Sequence, residues 1–315
     1  MLHRIKQWTL SLGICLSLPM VARAGPAEPA QANIPQQALC ADTAATPLDF
    51  SRYGLKIVSL WVSHGDATLI YLPNGEIALV DTGQDFAVKD YLVPFLQQHG
   101  IKQLDYFIVT HYHGDHYAGK IDKDGQTFVG YRYDDQAPRI PVKTFWDYSS
   151  FHRGDQRNWG GTKLFILNSL YSNEWSTDEN DKSLSLRIEW NGFTYALGGD
   201  IYANEQDRIL NDFPDQVRVH VYRTNHHMHG SSSWNYLKMA DPVLFVTSAE
   251  NAVYQRDAYT KVLAGVIADL KQGGHRFQES VLTLEKGNVV IGANSDQDWT
   301  YACRPSGQYI PALQR

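Results

Sequence analysis

Between Thr110 and His116 the chain carries three imidazoles and one carboxylate, His111, His113, Asp115 and His116, spaced His-x-His-x-Asp-His. Imidazole nitrogen and carboxylate oxygen are the ligands that borderline divalent cations such as zinc favour. An apolar run, Leu104 to Val109, comes immediately before them. A strand ending in a tight loop aims alternate side chains at one point and the intervening ones at a neighbouring point, which suits two ions side by side. Two more clusters follow apolar runs: Gly198-Gly199-Asp200, and Asn225-His226-His227-Met228-His229-Gly230. With 12 histidines in 315 residues, the spacing is too specific for a polar surface loop. The chemistry it suggests is metal-assisted hydrolysis, in which bound ions lower the pKa of water and polarise the bond under attack.

The elements that must carry these residues can be read from apolar periodicity. Leu55 to Val62, Ala67 to Leu72 and Glu76 to Val80 predict an antiparallel meander, with Pro73-Asn74-Gly75 as a hairpin turn. Val88, Tyr91, Leu92, Phe95 and Leu96 fall at helical spacing within Asp85 to His99, and Pro94 predicts a kink or a short first turn there. Ser183 to Trp190 and Phe193 to Leu197 pair through Asn191-Gly192. A helix is expected at Ala203 to Phe213, closed by Pro214, then a strand from Val217 to Tyr222 that runs into the late histidines. Val243 to Thr247 reads as a buried strand and Asp257 to Leu270 as a helix. Residues 117–180 look least regular, with short strands at Val142 to Trp146 and Lys163 to Leu167. Their aromatic side chains, from Tyr131 to Trp175, could form a substrate lip or a satellite core. Two halves of sheet, helix and strand can stack as an αββα sandwich of two mixed sheets flanked by helices, with the ligands along one edge.

Compartment and charge narrow the partners. Arg4 and Lys6, the apolar run Trp8 to Met20 and Ala22-Arg23-Ala24 predict a signal peptide over residues 1–24. That segment holds three of the 28 basic residues and none of the 34 acidic ones, so its removal takes the net charge from −6 to −9. An acidic surface disfavours nucleic acid as a partner, although a local basic groove could survive. Residues 25–47, rich in Ala, Pro and Gln, predict an extended arm, and 48–315 a single hydrolase domain with no membrane span in the mature chain. Cys40 and Cys303 remain after cleavage, and in an oxidising compartment they could form a disulfide. The localisation expected is periplasmic or secreted.

The motifs Ser63-His64-Gly65-Asp66-Ala67, Leu79-Val80-Asp81-Thr82-Gly83, Thr110 to His116, Gly199-Asp200 and His226-His227 resemble those of the metallo-β-lactamase superfamily over nearly the whole mature chain. Within it, Gly65-Asp66-Ala67 and Asn180-Asp181-Lys182-Ser183 are most similar to the hydrolase domain of ComEC-type competence proteins. The resemblance implies that His111 and His113 hold a first metal and that Asp115 and His116 hold a second. Asp200 would bridge them, and His226 would be the late ligand, with His227 and His229 as competitors. Where many members supply a third histidine to the first metal, Asp181, Asn180 or His152 would have to substitute. An oxygen-rich site shifts preference from Zn2+ toward Mn2+. Asp115 would orient the nucleophile and His226 assist the leaving group. The substrate implied is a small-molecule or cell-envelope phosphodiester. A β-lactam, lactone or thioester hydrolase is a second reading. A third is a non-catalytic metal-binding protein that recognises a glycan or partner through its aromatic segment.

Overall fold

The computed structural model describes Cys40 and residues 49–172, 176–228, 232–249, 257–310 and 313. The expected signal peptide, the arm apart from Cys40, Trp175 and His229 lie outside the described residues. All the described residues fall within one compact unit, Asn33–Arg315.

Among the described residues sixteen strands form two mixed sheets. In chain order the first strands are β1 (Leu55–Ser59), β2 (Thr68–Tyr71), β3 (Ile77–Val80), β4 (Leu104–Val109), β5 (Lys120–Lys123), β6 (Gln126–Gly130), β7 (Arg139–Asp147) and β8 (Gln156–Trp159). They continue with β9 (Thr162–Asn168), β10 (Ser185–Trp190), β11 (Phe193–Leu197), β12 (Val221–Arg223), β13 (Leu244–Thr247), β14 (Glu279–Leu282), β15 (Asn288–Ala293) and β16 (Trp299–Arg304). The nine-stranded sheet runs β16-β15-β1-β2-β3-β4-β7-β6-β5, and the seven-stranded sheet runs β14-β13-β12-β11-β10-β9-β8. Within them β3-β4-β7 and β11-β12-β13-β14 are parallel, so each sheet is mixed.

The layers follow from which faces are apolar. Ile57, Ile70 and Val80 of the first sheet meet Leu186, Tyr195 and Val246 of the second in a central core. Outside the first sheet, Val58, Leu79 and Phe107 pack on Val88, Leu92 and Leu96 of helix α1 (residues 85–98). Outside the second, Ala196, Tyr222 and Phe245 pack on α3 (Ala203–Asp212), α4 (Trp234–Ala240) and α5 (Asp257–Gln272) through Ile209, Leu237 and Val266. Helix, sheet, sheet, helix is therefore the order of layers. Helix α1 is built of Asp85–Ala87, a π turn at Val88–Leu92 and an α segment Val93–Gln98. The π turn stops where Pro94, which has no N–H, cannot supply the next bond, so the expected kink is a widened turn.

Asn191 (φ 46°) and Gly192 (φ 87°) make the two-residue hairpin that joins β10 to β11, the left-handed pair that Asn-Gly tolerates. Two segments differ from the sequence-based expectation. Residues 117–180 hold more strand than expected: the strands expected at Val142 to Trp146 and Lys163 to Leu167 are found within β7 and β9, and β5, β6 and β8 add to the two sheets. Their exposed faces carry Asp122, Lys123, Gln156 and Arg157, which hides strand alternation. The strand expected at Val217 to Tyr222 starts only at Val221, because Pro214, with its fixed φ, opens a helical turn over Pro214–Val217 instead. Among the described residues no helix is long and apolar enough to cross a membrane.

Candidate metal centre

The parallel pairing decides where the chemistry gathers. β3 and β4 run the same way, as do β11, β12 and β13, so the residues after each strand emerge along one edge of the sandwich. Asp81 follows β3, His111 to His116 follow β4, Asp200 follows β11 and His226-His227 follow β12. Helix α2 (Gly114–Tyr117) turns the histidine loop back on itself, with the N–H of His116 donating to the carbonyl of His113 (2.9 Å).

Two groups of ligand atoms meet on Asp200. One joins His111, His113 and Asp200; the other joins Asp115, His116, Asp200 and His227. In the first, His111 Nε2 lies 3.2 Å from His113 Nδ1 and 3.7 Å from Asp200 Oδ2. In the second, His116 Nε2 lies 3.2 Å from Asp200 Oδ1, and His227 Nε2 lies 3.2 Å from Asp115 Oδ2 and 3.7 Å from Asp200 Oδ2. Such spacings match the edges of a tetrahedron whose centre is about 2 Å from each donor. His116 Nε2, His227 Nε2 and Asp200 Oδ1 are buried with no hydrogen-bond partner among the described residues. Donor atoms left this way cost several kcal/mol unless something fills the centre (about 1–3 kcal/mol each). The donor set and its orphaned atoms fit divalent cations.

Outer contacts aim the ligands. Asp81 accepts from the Thr110 N–H (2.8 Å), the Thr110 hydroxyl (2.7 Å) and His116 Nδ1 (2.9 Å), which leaves Nε2 of His116 facing the site. His227 Nδ1 donates to the Ser248 carbonyl (2.7 Å), which does the same for its Nε2. Asp66 stands 3.4 Å from His227 Nδ1 and is ion-paired to the buried Arg223 guanidinium. Gly65 (φ 102°) lies so close to the Asp115 backbone that a Cβ there would fall 2.2 Å from its carbonyl oxygen. The Asp66 N–H donates to that same oxygen (3.1 Å).

Electrostatics point the same way. Burial disfavours charge on His116 and His227, yet Asp200, Asp81 and Asp115 hold His116 protonated well above the ordinary imidazole range, and Asp200, Asp115 and Asp66 push His227 up to about 10. Burial works against ionised Asp200 as well, but His116 and His227 keep its carboxyl well below the usual range. His111 is lowered, by burial first and then by the charge of His116. A buried pocket that draws protons onto two imidazoles is short of positive charge, and a divalent cation would supply it.

The residues singled out from sequence fall into three sets. His111, His113, Asp115, His116 and Asp200 are brought together. His226 is not in either group; its Nε2 lies 4.0 Å from Asp200 Oδ2 and 3.4 Å from Asn180 Nδ2, and it is His227 that joins Asp115 and His116. The reason is backbone: His226, His227 and Met228 all take left-handed φ values (48°, 50° and 60°), a run that rotates the second imidazole inward. Asp181 accepts from the Ser176 hydroxyl (2.8 Å), and His152 stacks on Tyr171 (4.5 Å between ring centres). Among the described residues neither belongs to a ligand group. Asn180 is buried, and its Oδ1 makes no hydrogen bond among the described residues. In the sequence His64 stands out only as part of the Ser63-His64-Gly65-Asp66-Ala67 motif, whereas in the structure its Nε2 lies 3.2 Å from Asp115 Oδ2. Its position in the Ser63-His64-Gly65-Asp66 loop, at the end of an apolar strand, was the available signal.

Comparisons agree with this geometry. Residues 60–260 match the Metallo-beta-lactamase superfamily model. The chain is 26% identical over 230 residues to ComE operon protein 3 of Bacillus subtilis, 64% of this chain and 29% of that protein. It is 26% identical over 195 residues to competence protein ComA of Neisseria gonorrhoeae, 61% of this chain and 27% of that protein. It thus spans under a third of the length of either relative. A solved metal-dependent hydrolase of the beta-lactamase superfamily is similar at 14% identity and TM-score 0.39, over 72% of this chain and 94% of that one. Both ligand groups fall inside the matched segment, and this chain belongs to the metallo-β-lactamase superfamily.

Proposed function

We propose that this chain is an exported hydrolase that uses two divalent ions, Zn2+ or Mn2+, to cleave a small phosphodiester. The observation that carries the reading is the pair of ligand groups sharing Asp200, with His116 Nε2, His227 Nε2 and Asp200 Oδ1 buried and left without a hydrogen-bond partner among the described residues. His111, His113 and Asp200 would hold the first ion, and Asp115, His116, Asp200 and His227 the second. Such ions supply a water of lowered pKa and polarise the oxygen of the bond under attack. The protein's share is position: Asp81 and Ser248 fix the imidazoles, and Asp115, contacted by His64 and His227, orients the attacking oxygen. His226, partly exposed beside Asp200 and Asn180, faces the role of assisting the leaving group. The first group has one ligand fewer than the second, so the first ion is the more weakly held.

Support for the phosphodiester comes from Gly65-Asp66-Ala67 and Asn180-Asp181-Lys182-Ser183, the motifs shared with the ComEC-type branch. Support for export comes from residues 1–24 and from the Cys40–Cys303 disulfide, a bond suited to an oxidising compartment. The test is metal analysis of the purified chain together with turnover of bis-p-nitrophenyl phosphate and of a chromogenic cephalosporin. Two ions and cleavage of the diester alone are expected. Cephalosporin opening without diester cleavage would transfer the reading to an acyl hydrolase, and metal without any turnover would reduce it to a binding protein.

A further inference from the structure

A cleft of about 740 Å³ opens directly off the histidine loop, with Gly114 and Asp115 as one wall and Asp85, Phe86 and Lys89 of helix α1 and Tyr131 as the others. Asp115 lines both the cleft and the second ligand group, so this space adjoins that group. Its walls are unusual for a hydrolase of polyanions. Phe86 leaves 43% of its surface exposed on the first turn of α1, where a polar residue would serve solubility better. Tyr131, just beyond β6, closes the other side, and Tyr133 beyond it is 67% exposed.

The charges nearly cancel. Arg132 pairs with Asp85 (3.2 Å), and Lys89, above the Tyr131 ring (5.4 Å from its centre), is matched by Asp90 on the same wall. Among the described residues that line the cleft, three carboxylates, Asp85, Asp90 and Asp115, face one cation, Lys89, so a second phosphate finds no surplus positive charge. The aromatic wall is held in place: Arg132 Nε donates to the Ala118 carbonyl (2.8 Å), which anchors the Tyr131 segment to the end of helix α2. A fixed ring loses little freedom on binding.

Resting on the phosphodiester reading, we infer that the alcohol half of the substrate carries one neutral ring, aromatic or sugar, which lodges between Phe86 and Tyr131. A nucleic acid strand is not what this cleft takes.

Two phosphonates that the enzyme cannot hydrolyse separate the contributions. Phenylphosphonate and methylphosphonate present the same head group, and only the first has a ring. Titration calorimetry on the metal-loaded full-length chain should show phenylphosphonate bound about tenfold tighter or more, the size expected for burying and stacking one ring. That ratio should fall toward one in Phe86→Ala and in Tyr131→Ala, and fall part of the way in Phe86→Leu, which keeps apolar volume and removes the ring. Because the ratio is taken within each protein, an unfolded variant, binding neither, is told apart from a cleft that has lost its ring contact, and Phe86→Leu then carries the comparison. Equal binding of the two phosphonates by the wild type would overturn the ring site alone, as would a ratio that survives in all three variants. A twelve-residue thymidylate strand binding more tightly than phenylphosphonate would overturn the exclusion of polyanions. If neither phosphonate binds a chain holding two ions, the phosphodiester reading fails with it.

Discussion

His226 and His227 are adjacent in sequence and have different environments, so they provide the sharpest test at the scale of single residues. His227→Ala removes a donor from the second group, and the metal content of the dialysed protein should drop from two ions per chain toward one. His226→Ala should keep both ions and lose turnover. Asp81→Ala leaves every direct donor in place but frees the His116 ring, and should weaken metal affinity by about 10–100-fold, read by competition with a chromogenic chelator. A separate histidine, His220, gives a pH signature away from the site. It is buried, and its Nδ1 accepts from the Thr194 N–H (3.1 Å), so a proton there would face a donor. Burial, followed by the charge of Arg276, lowers its pKa to about 4. An unfolded imidazole takes up a proton below about pH 6.5, whereas the folded one resists until about pH 4. Between those values the unfolded state binds more protons, so stability falls as pH falls, by about 3 kcal/mol from this residue. Urea midpoints measured from pH 7 to pH 4 should therefore slope less steeply in His220→Gln than in the wild type.

At the scale of elements, the loop from β1 to β2 matters more than its length suggests. Gly65 allows it to lie against the Asp115 backbone, and the Ser248 hydroxyl donates to the Gly65 carbonyl (2.6 Å). Gly65→Ala would force that loop away from helix α2 and strain a left-handed residue, so loss of the second ion and a cost of about 1–3 kcal/mol in stability are expected, measured by metal analysis and thermal melting. How much of this was legible varies with the physics of each element. The meander, the Asn191-Gly192 hairpin and the buried strands β4, β11 and β13 show in the sequence because burial imposes apolar runs and turns demand particular residues. β5, β6 and β8 do not show, because solvent-facing residues such as Asp122, Lys123 and Arg157 interrupt any apolar pattern, and β7 shows only over Val142 to Trp146. The first-site and shared ligands were legible from His111, His113 and Asp200. The choice between His226 and His227 was not, since it turns on three consecutive left-handed residues that no propensity favours. His64 escaped for a similar reason: its place beside Asp115 depends on how two distant loops pack.

At the scale of the whole molecule, the disulfide between Cys40 and Cys303 joins the start of the described chain to β16, the edge strand of the nine-stranded sheet. It closes a loop with a sequence separation of 263, and restricting so long a loop in the unfolded chain stabilises the fold by about 5 kcal/mol. Reduction, or Cys303→Ala, should lower the urea midpoint accordingly while leaving the ligand groups intact, since neither cysteine touches them. The loop also contains both ligand groups, from His111 to His227. A protease that cuts once within it, for example in the exposed Asp134-Asp135-Gln136 turn, therefore releases no fragment. The nicked molecule would migrate as one species on a non-reducing gel and as two after reduction, with its ions still in place. For the exported hydrolase proposed above, a single cleavage would then not end its working life.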